Sequence, residues 1–126
     1  MSHLIVRSIL LLDDDADIRM TLRDFLMEAG FVVHTARDGQ HGLHVLEKIE
    51  PPDLILLDYK MPVMDGKQFL AMMRSNPRAQ NIPVVILSAA TREWSGAHLE
   101  VEEVLSKPVD LEVLLKTVNR ICAQQL

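Results

Sequence analysis

Short, almost wholly apolar runs along this chain alternate with stretches in which apolar residues recur three and four positions apart. The second pattern predicts amphipathic α-helices, which bury one stripe of side chains and expose the rest. The first predicts buried β-strands, and apolar strands separated by helices are typical of a parallel sheet covered on both faces. We therefore expect an α/β domain with five strands, at Ser8–Leu12, Phe31–Ala36, Leu54–Leu57, Val84–Leu87 and Val104–Ser106.

Residues with special backbone preferences mark the ends of the predicted helices. Gly30 follows the first helical pattern, where a left-handed residue commonly ends a helix, and Pro51 and Pro52 stop the second. Since no repeat, linker or low-complexity stretch interrupts the alternation, residues 1–126 are expected to form one domain. An oxygen on a short side chain can accept hydrogen bonds from the first backbone amides of a helix. We expect four aspartates to cap helices in this way: Asp15, Asp38, Asp65 and Asp110.

Five residues that can do chemistry fall where predicted strands end: Asp13, Asp14, Asp58, Ser88 and Lys107. Because ligands bind beyond the carboxyl ends of parallel strands, we expect these residues to share one pocket. Packed carboxylates repel one another unless a cation is bound or their pKa values rise, and hard oxygen ligands of this kind suit Mg²⁺. Asp58 can attack phosphorus as a nucleophile, while Lys107 and Ser88 can bond phosphoryl oxygens. The pattern predicts phosphoryl transfer to Asp58.

Composition narrows the partners. The formal net charge is −5 and the basic residues are dispersed, which argues against direct nucleic-acid binding. The longest apolar runs, Ile9–Leu12 and Leu54–Leu57, are far shorter than the roughly 20 residues that cross a bilayer. The N-terminal residues do not resemble a signal peptide, so a cytoplasmic protein without membrane contact is expected. The single Cys122 agrees with this location and is interpreted as a small packing residue.

The ordered set of motifs resembles the receiver domain of two-component response regulators, the family of the bacterial chemotaxis regulator. This resemblance implies a flavodoxin-like (βα)5 fold, with a doubly wound five-stranded parallel sheet in the order 2-1-3-4-5. It spans the chain and is carried by five segments: Ile9–Asp15 (ILLLDDD), Pro52–Asp58 (PDLILLD), Met61–Gly66 (MPVMDG), Ile82–Ala89 (IPVVILSA) and Ser106–Pro108 (SKP).

The resemblance implies a magnesium-dependent phosphoacceptor site. Asp58 resembles the phosphoacceptor. Asp14 and Asp58 resemble direct Mg²⁺ ligands, with the backbone carbonyl of Lys60 as a third. Asp13 resembles the acid that reaches the metal through water.

The remaining motif positions imply a switch. Ser88 resembles the hydroxyl that moves toward the phosphoryl group, beside the small residue Ala89. Lys107 resembles the phosphate-binding lysine, and its bond to Pro108 is typically cis in this family. The phosphoryl donor would be a histidine kinase or a histidine phosphotransfer protein. The surface of the fourth helix, fifth strand and fifth helix would respond, and it is the face expected to engage a downstream effector or a second copy of the chain.

Two features depart from the family pattern. Val104 stands where an aromatic residue usually swings inward, so we expect output to rely on backbone movement at Ser88–Thr91 instead. The segment Thr91–Glu103 is shorter than usual, and its fourth helix is expected to be short or displaced. Trp94 within it packs on the last helix in one interpretation and anchors a partner in the other.

Some residues near the site have two interpretations. Lys60 and Ala90 occupy variable positions that tune dephosphorylation in the family, although Lys60 equally suits a solvated loop. His41 and His44 have a spacing that can bind a metal, but they lack an evident third ligand and are expected to face solvent.

Two other functions remain open. A phosphatase with an aspartyl-phosphate intermediate usually carries a second acid two residues after its nucleophile, where this chain has Lys60. A receiver-like scaffold that acts without phosphorylation is disfavoured because all five site residues are present. We expect a protein that catalyses only its own phosphorylation and dephosphorylation, either standing alone or as part of a larger regulator.

Overall fold

The computed structural model describes residues 7–89 and 101–123. Within these ranges, strands and helices alternate, and each predicted strand is confirmed to within one residue at either end. The segment 90–100, which includes Ala90, Trp94 and most of the expected fourth helix, lies outside the described residues. The elements are β1 (Ser8–Leu12), α1 (Ala16–Glu28), β2 (Val32–Ala36), α2 (Gly39–Lys48), β3 (Leu54–Asp58), α3 (Gly66–Arg74), β4 (Val84–Ser88), β5 (Glu103–Ser106) and α4 (Leu111–Ala123).

The strands form one parallel sheet in the order β2-β1-β3-β4-β5, which confirms the predicted doubly wound topology. Leu12 of β1 lies beside Leu57 of β3, and Leu57 lies beside Ile86 of β4. Ser88 at the end of β4 is in register with Ser106 at the end of β5. Because neighbouring strands end together, the residues that follow them meet at one edge of the sheet.

Each face of the sheet buries its own cluster of apolar side chains. One cluster lies against α2 and α3, and the other lies against α1 and α4. Alternate residues of a central strand enter opposite clusters, as the two-residue period of a strand requires: Leu10 and Leu12 enter the first, and Ile9 and Leu11 the second. Cys122 is 4% exposed in the second cluster, which confirms its packing role.

All four predicted helix caps are confirmed. Asp15 accepts hydrogen bonds from two backbone amides of α1, and Asp38 accepts one from α2. Asp65 forms a reciprocal capping box with the glutamine three residues on, and Asp110 accepts two backbone amides at the start of α4. Gly30 follows α1 with a φ of 103°, as expected of a residue that ends a helix. None of the helices in residues 7–89 and 101–123 has the length and apolar character needed to span a membrane.

The loop between β3 and α3 lies against the N-terminal turns of α2. The Gly39 amide donates to the Met64 carbonyl at 3.2 Å, and a Cβ at Gly39 would lie 2.7 Å from Met64 Cγ. Gly42 makes an equally close approach to Leu12 and Phe69, which are both fully buried. The contact between Gly39 and Met64 ties the loop that follows Asp58 to the start of α2.

Gly42→Ala is expected to destabilise the protein by about 1 to 3 kcal/mol, because the added methyl would overlap Leu12 Cδ2 and lie 3.0 Å from Phe69 Cε1. Helix propensity alone predicts the opposite sign, a gain of about 1 kcal/mol. Urea unfolding of the two proteins measures the difference. In a Leu12→Ala background the cost should shrink, since the overlapped atoms are gone; an unchanged cost would place its origin elsewhere.

Candidate functional site

Three carboxylates meet at the carboxyl end of the sheet and form what we call the acidic pocket: Asp13, Asp14 and Asp58. One oxygen from each lies within 4.8 Å of the others. Asp13 is 0% exposed and Asp58 is 5% exposed, whereas Asp14 is exposed. The pocket therefore has two buried carboxylates at its base and one at its opening to solvent.

Lys107 faces the base of this pocket. Its Nζ lies 3.1 Å from Asp13 Oδ2 and 3.3 Å from Asp58 Oδ2. Burial by itself would lower the pKa of Lys107, but the facing Asp13 and Asp58 carboxylates outweigh burial and raise its pKa. The ammonium group is therefore held charged between the two buried acids.

Asp58 is less readily ionised in this arrangement than an aspartate in water. Burial, followed by repulsion from Asp13, raises the pKa of Asp58 from 3.8 to about 7, against the opposing pull of Lys107. When all three acids are ionised, their three negative charges and the single charge of Lys107 leave the group at −2. A divalent cation would offset that charge, and carboxylate oxygens are the ligands that Mg²⁺ prefers. The donor set and its charge thus fit a magnesium ion.

Asp13 is held by bonds to each of its polar groups. Its amide donates to the Ala36 carbonyl at 3.1 Å, and its carboxylate accepts from the Asp15 amide at 2.9 Å and from Lys107. Its backbone carbonyl accepts from Arg19 Nη1 at 2.8 Å. Sequence reasoning did not identify Arg19, since its only signal is a basic residue near the start of the first helix.

Ser88 and Lys60 flank the acidic pocket on neighbouring elements. Ser88 is 1% exposed at the end of β4, and its carbonyl accepts the Lys107 amide at 2.9 Å. Lys60 is exposed in the loop after β3. The Lys107–Pro108 peptide bond is cis, as the resemblance implied. All the residues predicted for the site therefore lie on the strand ends and loops of this edge.

Strand alternation explains why the buried charges share one side of the sheet. Side chains two residues apart on a strand lie on the same face. Val104 belongs to the opposite face, where it is half-buried against the cluster of α2 and α3. Three charged residues of the pocket lie two positions beyond a leucine of the α1–α4 cluster: Asp13 after Leu11, Asp58 after Leu56 and Lys107 after Leu105.

The two histidines of α2 differ from expectation in one respect. His44 is exposed as expected, but His41 is half-buried. Its Nδ1 accepts a hydrogen bond from the Arg37 amide at 3.1 Å. Burial and the nearby Arg37 lower the pKa of His41. A neutral ring that accepts at Nδ1 carries its proton on Nε2, so in this arrangement it has no lone pair for a metal. The solvated interpretation of this pair is favoured over a second metal site.

Asp58→Asn is expected to stabilise the metal-free protein by about 1 to 2 kcal/mol at about pH 8. In wild type, protonated Asp58 favours the folded state below its ordinary pKa of 3.8. This contribution is lost as the pH rises toward about 7, because the ionised carboxylate is less stable in the folded protein than in the unfolded chain. Asparagine cannot ionise, so the advantage of the variant should grow between about pH 5 and pH 8. Urea unfolding in EDTA at the two pH values measures it.

Asp24→Asn is the matched control for this prediction. Asp24 is exposed and pairs with Arg23 on the surface of α1. Its substitution therefore changes the net charge by the same amount as Asp58→Asn but leaves the acidic pocket unchanged. Its effect should be small and nearly independent of pH. Equal pH dependence in the two variants would contradict the burial argument.

Comparison with known proteins adds family relationships to this geometry. The family model of the response regulator receiver domain matches residues 9–119. Protein PilH of Pseudomonas aeruginosa is 34% identical over 119 residues, covering 91% of this chain and 97% of PilH. The probable chemotaxis protein CheY of Rhizobium etli is 31% identical over 117 residues, covering 90% of each chain.

Solved structures agree with the sequence matches. The Vibrio cholerae chemotaxis response regulator CheY4 is 32% identical and superimposes with a TM-score of 0.85, covering 93% of this chain and 99% of CheY4. A putative response regulator from Chloroflexus aurantiacus gives a TM-score of 0.85 at 26% identity, covering 94% of this chain and 99% of its own. The family match extends over most of the chain and includes every strand end that forms the pocket, and the chain accordingly belongs to the response regulator receiver domain family, whose members are signalling switches rather than classical enzymes.

Proposed function

We propose that this chain is a phosphorylation-dependent switch of a two-component system or phosphorelay, with Asp58 as the residue that accepts the phosphoryl group. The observation that carries the proposal is the pairing of a buried, raised-pKa Asp58 carboxylate with the Lys107 ammonium at 3.3 Å. Structural ion pairs rarely place a third acid beside two buried acids that share one lysine, because the surplus negative charge destabilises the folded state. A site that handles phosphate and a cation accounts for that surplus.

The proposed reaction is an in-line displacement at phosphorus. An ionised oxygen of Asp58 forms a bond to phosphorus as the bond from phosphorus to the donor breaks. When a phosphohistidine is the donor, the imidazole nitrogen leaves with the bonding electron pair and takes up a proton. A pKa near 7 leaves a useful fraction of Asp58 ionised at neutral pH even without a cation.

One Mg²⁺ would be held by the carboxylates of Asp14 and Asp58 and the backbone carbonyl of Lys60, with Asp13 acting through water. When bound, the ion supplies charge neutralisation for the transferred group. The residues of the chain supply the geometry, since Asp13 is anchored at four polar groups and in turn holds Lys107.

Lys107 and Ser88 are proposed to bind the phosphoryl group once it is attached. Phosphorylation removes one of the two carboxylate partners of Lys107, that of Asp58, and offers phosphoryl oxygens in its place, so the ammonium can turn to them. Ser88 stands at the end of the adjacent strand, with its backbone bonded to that of Lys107. A shift of the Ser88 hydroxyl toward the phosphoryl group would therefore act directly on the end of β5.

The proposed output follows from that coupling. Movement at the ends of β4 and β5 would change the surface formed by β5, α4 and the segment between β4 and β5. Val104 has no aromatic ring to rotate, so the change is proposed to pass through backbone at residues 88–91, of which 90 and 91 lie outside the described residues. The response is a shift between two conformations, biased by the bound phosphoryl group.

The proposed partners are a histidine kinase or histidine phosphotransfer protein and a downstream effector, with a homodimer possible on the output surface. A largely apolar groove of about 350 Å³ runs beside Lys107, and its walls include Ile18, Leu22 and Leu111. Such a groove suits a protein donor that must cover the pocket during transfer. Residues 1–126 are proposed to be one cytoplasmic receiver domain that catalyses only its own phosphorylation and dephosphorylation and binds neither nucleic acid nor membrane.

Incubation with acetyl phosphate and Mg²⁺ is expected to add one phosphoryl group, measured by intact mass. The addition should disappear without Mg²⁺ and in Asp58→Asn, because each removes a required part of the site. Labelling of Asp58→Asn to the same extent would exclude Asp58 as the acceptor. No labelling under conditions where a known receiver is labelled, together with partner binding that Asp58→Ala leaves unchanged, would favour a scaffold that acts without phosphorylation.

Lys60→Ala is expected to change the lifetime of the aspartyl phosphate by at least about twofold, a difference of only a few tenths of a kcal/mol in the barrier. The side chain leaves the loop directly after the phosphoacceptor, where it either contacts the phosphoryl group or shields it from water. The decay of the added mass with time measures the lifetime. Lys67→Ala, an exposed lysine of α3, is the matched control, and a Lys60→Ala lifetime equal to that of wild type contradicts the prediction.

A further inference from the structure

Arg19 connects α1 to the acidic pocket through the backbone rather than through a carboxylate. Its Nη1 donates to the Asp13 carbonyl at 2.8 Å, and its own amide closes the first turn of α1 on the Asp15 carbonyl at 2.9 Å. The side chain is half-buried. Arg19 is thus fixed at both ends, by the helix and by the residue at the base of the pocket.

The carbonyl that Arg19 holds belongs to the peptide unit that joins Asp13 to Asp14. A peptide unit is planar, so fixing its carbonyl oxygen also fixes the direction of the amide on its other side. Together with the φ torsion of Asp14, that direction sets where the Asp14 side chain leaves the backbone. Asp14 is exposed, and the Asp58 carboxyl is the side chain that it meets in the pocket, so the peptide plane is a second constraint on where its carboxylate lies.

We infer that Arg19 is a positioning residue of the acidic pocket: it holds the Asp13–Asp14 peptide so that the Asp14 carboxylate stands beside Asp58, ready for a divalent cation. This inference rests on the proposed function for its consequence, which is the affinity for Mg²⁺. Its geometric part, the orientation of the peptide, is independent of that function.

The charge of Arg19 and its positioning contact have opposite effects on the affinity for Mg²⁺. The direction in which a substitution changes that affinity therefore tests the inference. A guanidinium beside the pocket repels a cation, so its removal as a mere bystander charge would strengthen Mg²⁺ binding. Loss of a positioning contact would weaken binding, because the carboxylates must then be ordered when the cation arrives. Outer contacts of this kind typically change metal affinity about tenfold or more.

Arg19→Met is the informative variant, because methionine keeps the apolar stem and removes both the charge and the donor. We expect Mg²⁺ affinity, measured by calorimetry, to fall by about tenfold. The half-saturating Mg²⁺ for labelling by acetyl phosphate should rise, while the rate at saturating Mg²⁺ changes less. Arg19→Lys, which restores a charged donor, should recover most of the loss.

Two readouts in EDTA test the geometry without any metal. The amide resonances of Asp14 and Asp15 should shift in Arg19→Met. The pKa of His41, which Arg19 lowers as the smallest of several contributions, should rise slightly. Arg23→Met, one turn along α1 and paired only with Asp24 among the contacts of the described residues, is the matched control and should change neither readout.

Each outcome decides between the alternatives. Unchanged or tighter Mg²⁺ binding by Arg19→Met would overturn the inference, even if the variant unfolds more easily. Weaker binding that Arg19→Lys fails to recover, with Asp14 unshifted in EDTA, would also overturn it and indicate a loss of packing. If wild type itself binds no Mg²⁺, the proposed function fails, and the amide shifts in EDTA still decide whether Arg19 positions the peptide.

Discussion

The repulsion between two buried carboxylates, Asp13 and Asp58, is the constraint on which the rest of this structure depends. The fold brings them together at the end of the central strands and withholds the water that would screen them. Lys107 lies within 3.1 and 3.3 Å of the two acids and offsets one negative charge. Burial, followed by repulsion from Asp13, raises the pKa of Asp58, and the pocket remains short of positive charge. Under the proposed function, a cation or a phosphoryl group bound at the pocket would change this charge balance.

Such a site requires a rigid frame. Asp13 and Asp14 follow β1 and Asp58 ends β3, and both strands pair with neighbours on each side, so the sheet holds the backbone at these acids. Gly39 lets α2 approach the loop after β3, and Gly42 lets α2 approach Leu12 of β1 and Phe69 of α3, more closely than a larger residue would permit. The energy that holds the charged groups in place comes from these apolar contacts and ladders, which lie beneath the pocket and do not take part in its chemistry.

The family match and the arrangement of charges in the pocket are independent observations, and both fit a receiver domain. The family match identifies a signalling switch, whereas distances and burial indicate how this chain would operate one. Where the chain departs from the family pattern, at Val104, the structure places a half-buried aliphatic side chain within the cluster of α2 and α3. Under the proposed function, this side chain has no aromatic ring to rotate, so the coupling would pass through the backbone of its strand instead.

The sequence by itself determined the five strands, the four helix caps and the acids, serine and lysine at the strand ends, because each depends on residues close together in the chain. Apolar runs and capping carboxylates act on residues nearby in the chain, so they can be recognised from the sequence alone. Only the tertiary structure decided that Asp13 is buried while Asp14 is exposed, that Lys107 reaches both Asp13 and Asp58, and that His41 is half-buried beside Arg37. The contact of Arg19 with the Asp13 carbonyl belongs with these, because a bond to the backbone leaves no pattern in the side chains. Burial and electrostatic interaction depend on distances in space, and residues 94 positions apart in the chain, such as Asp13 and Lys107, are brought together only by the folded sheet.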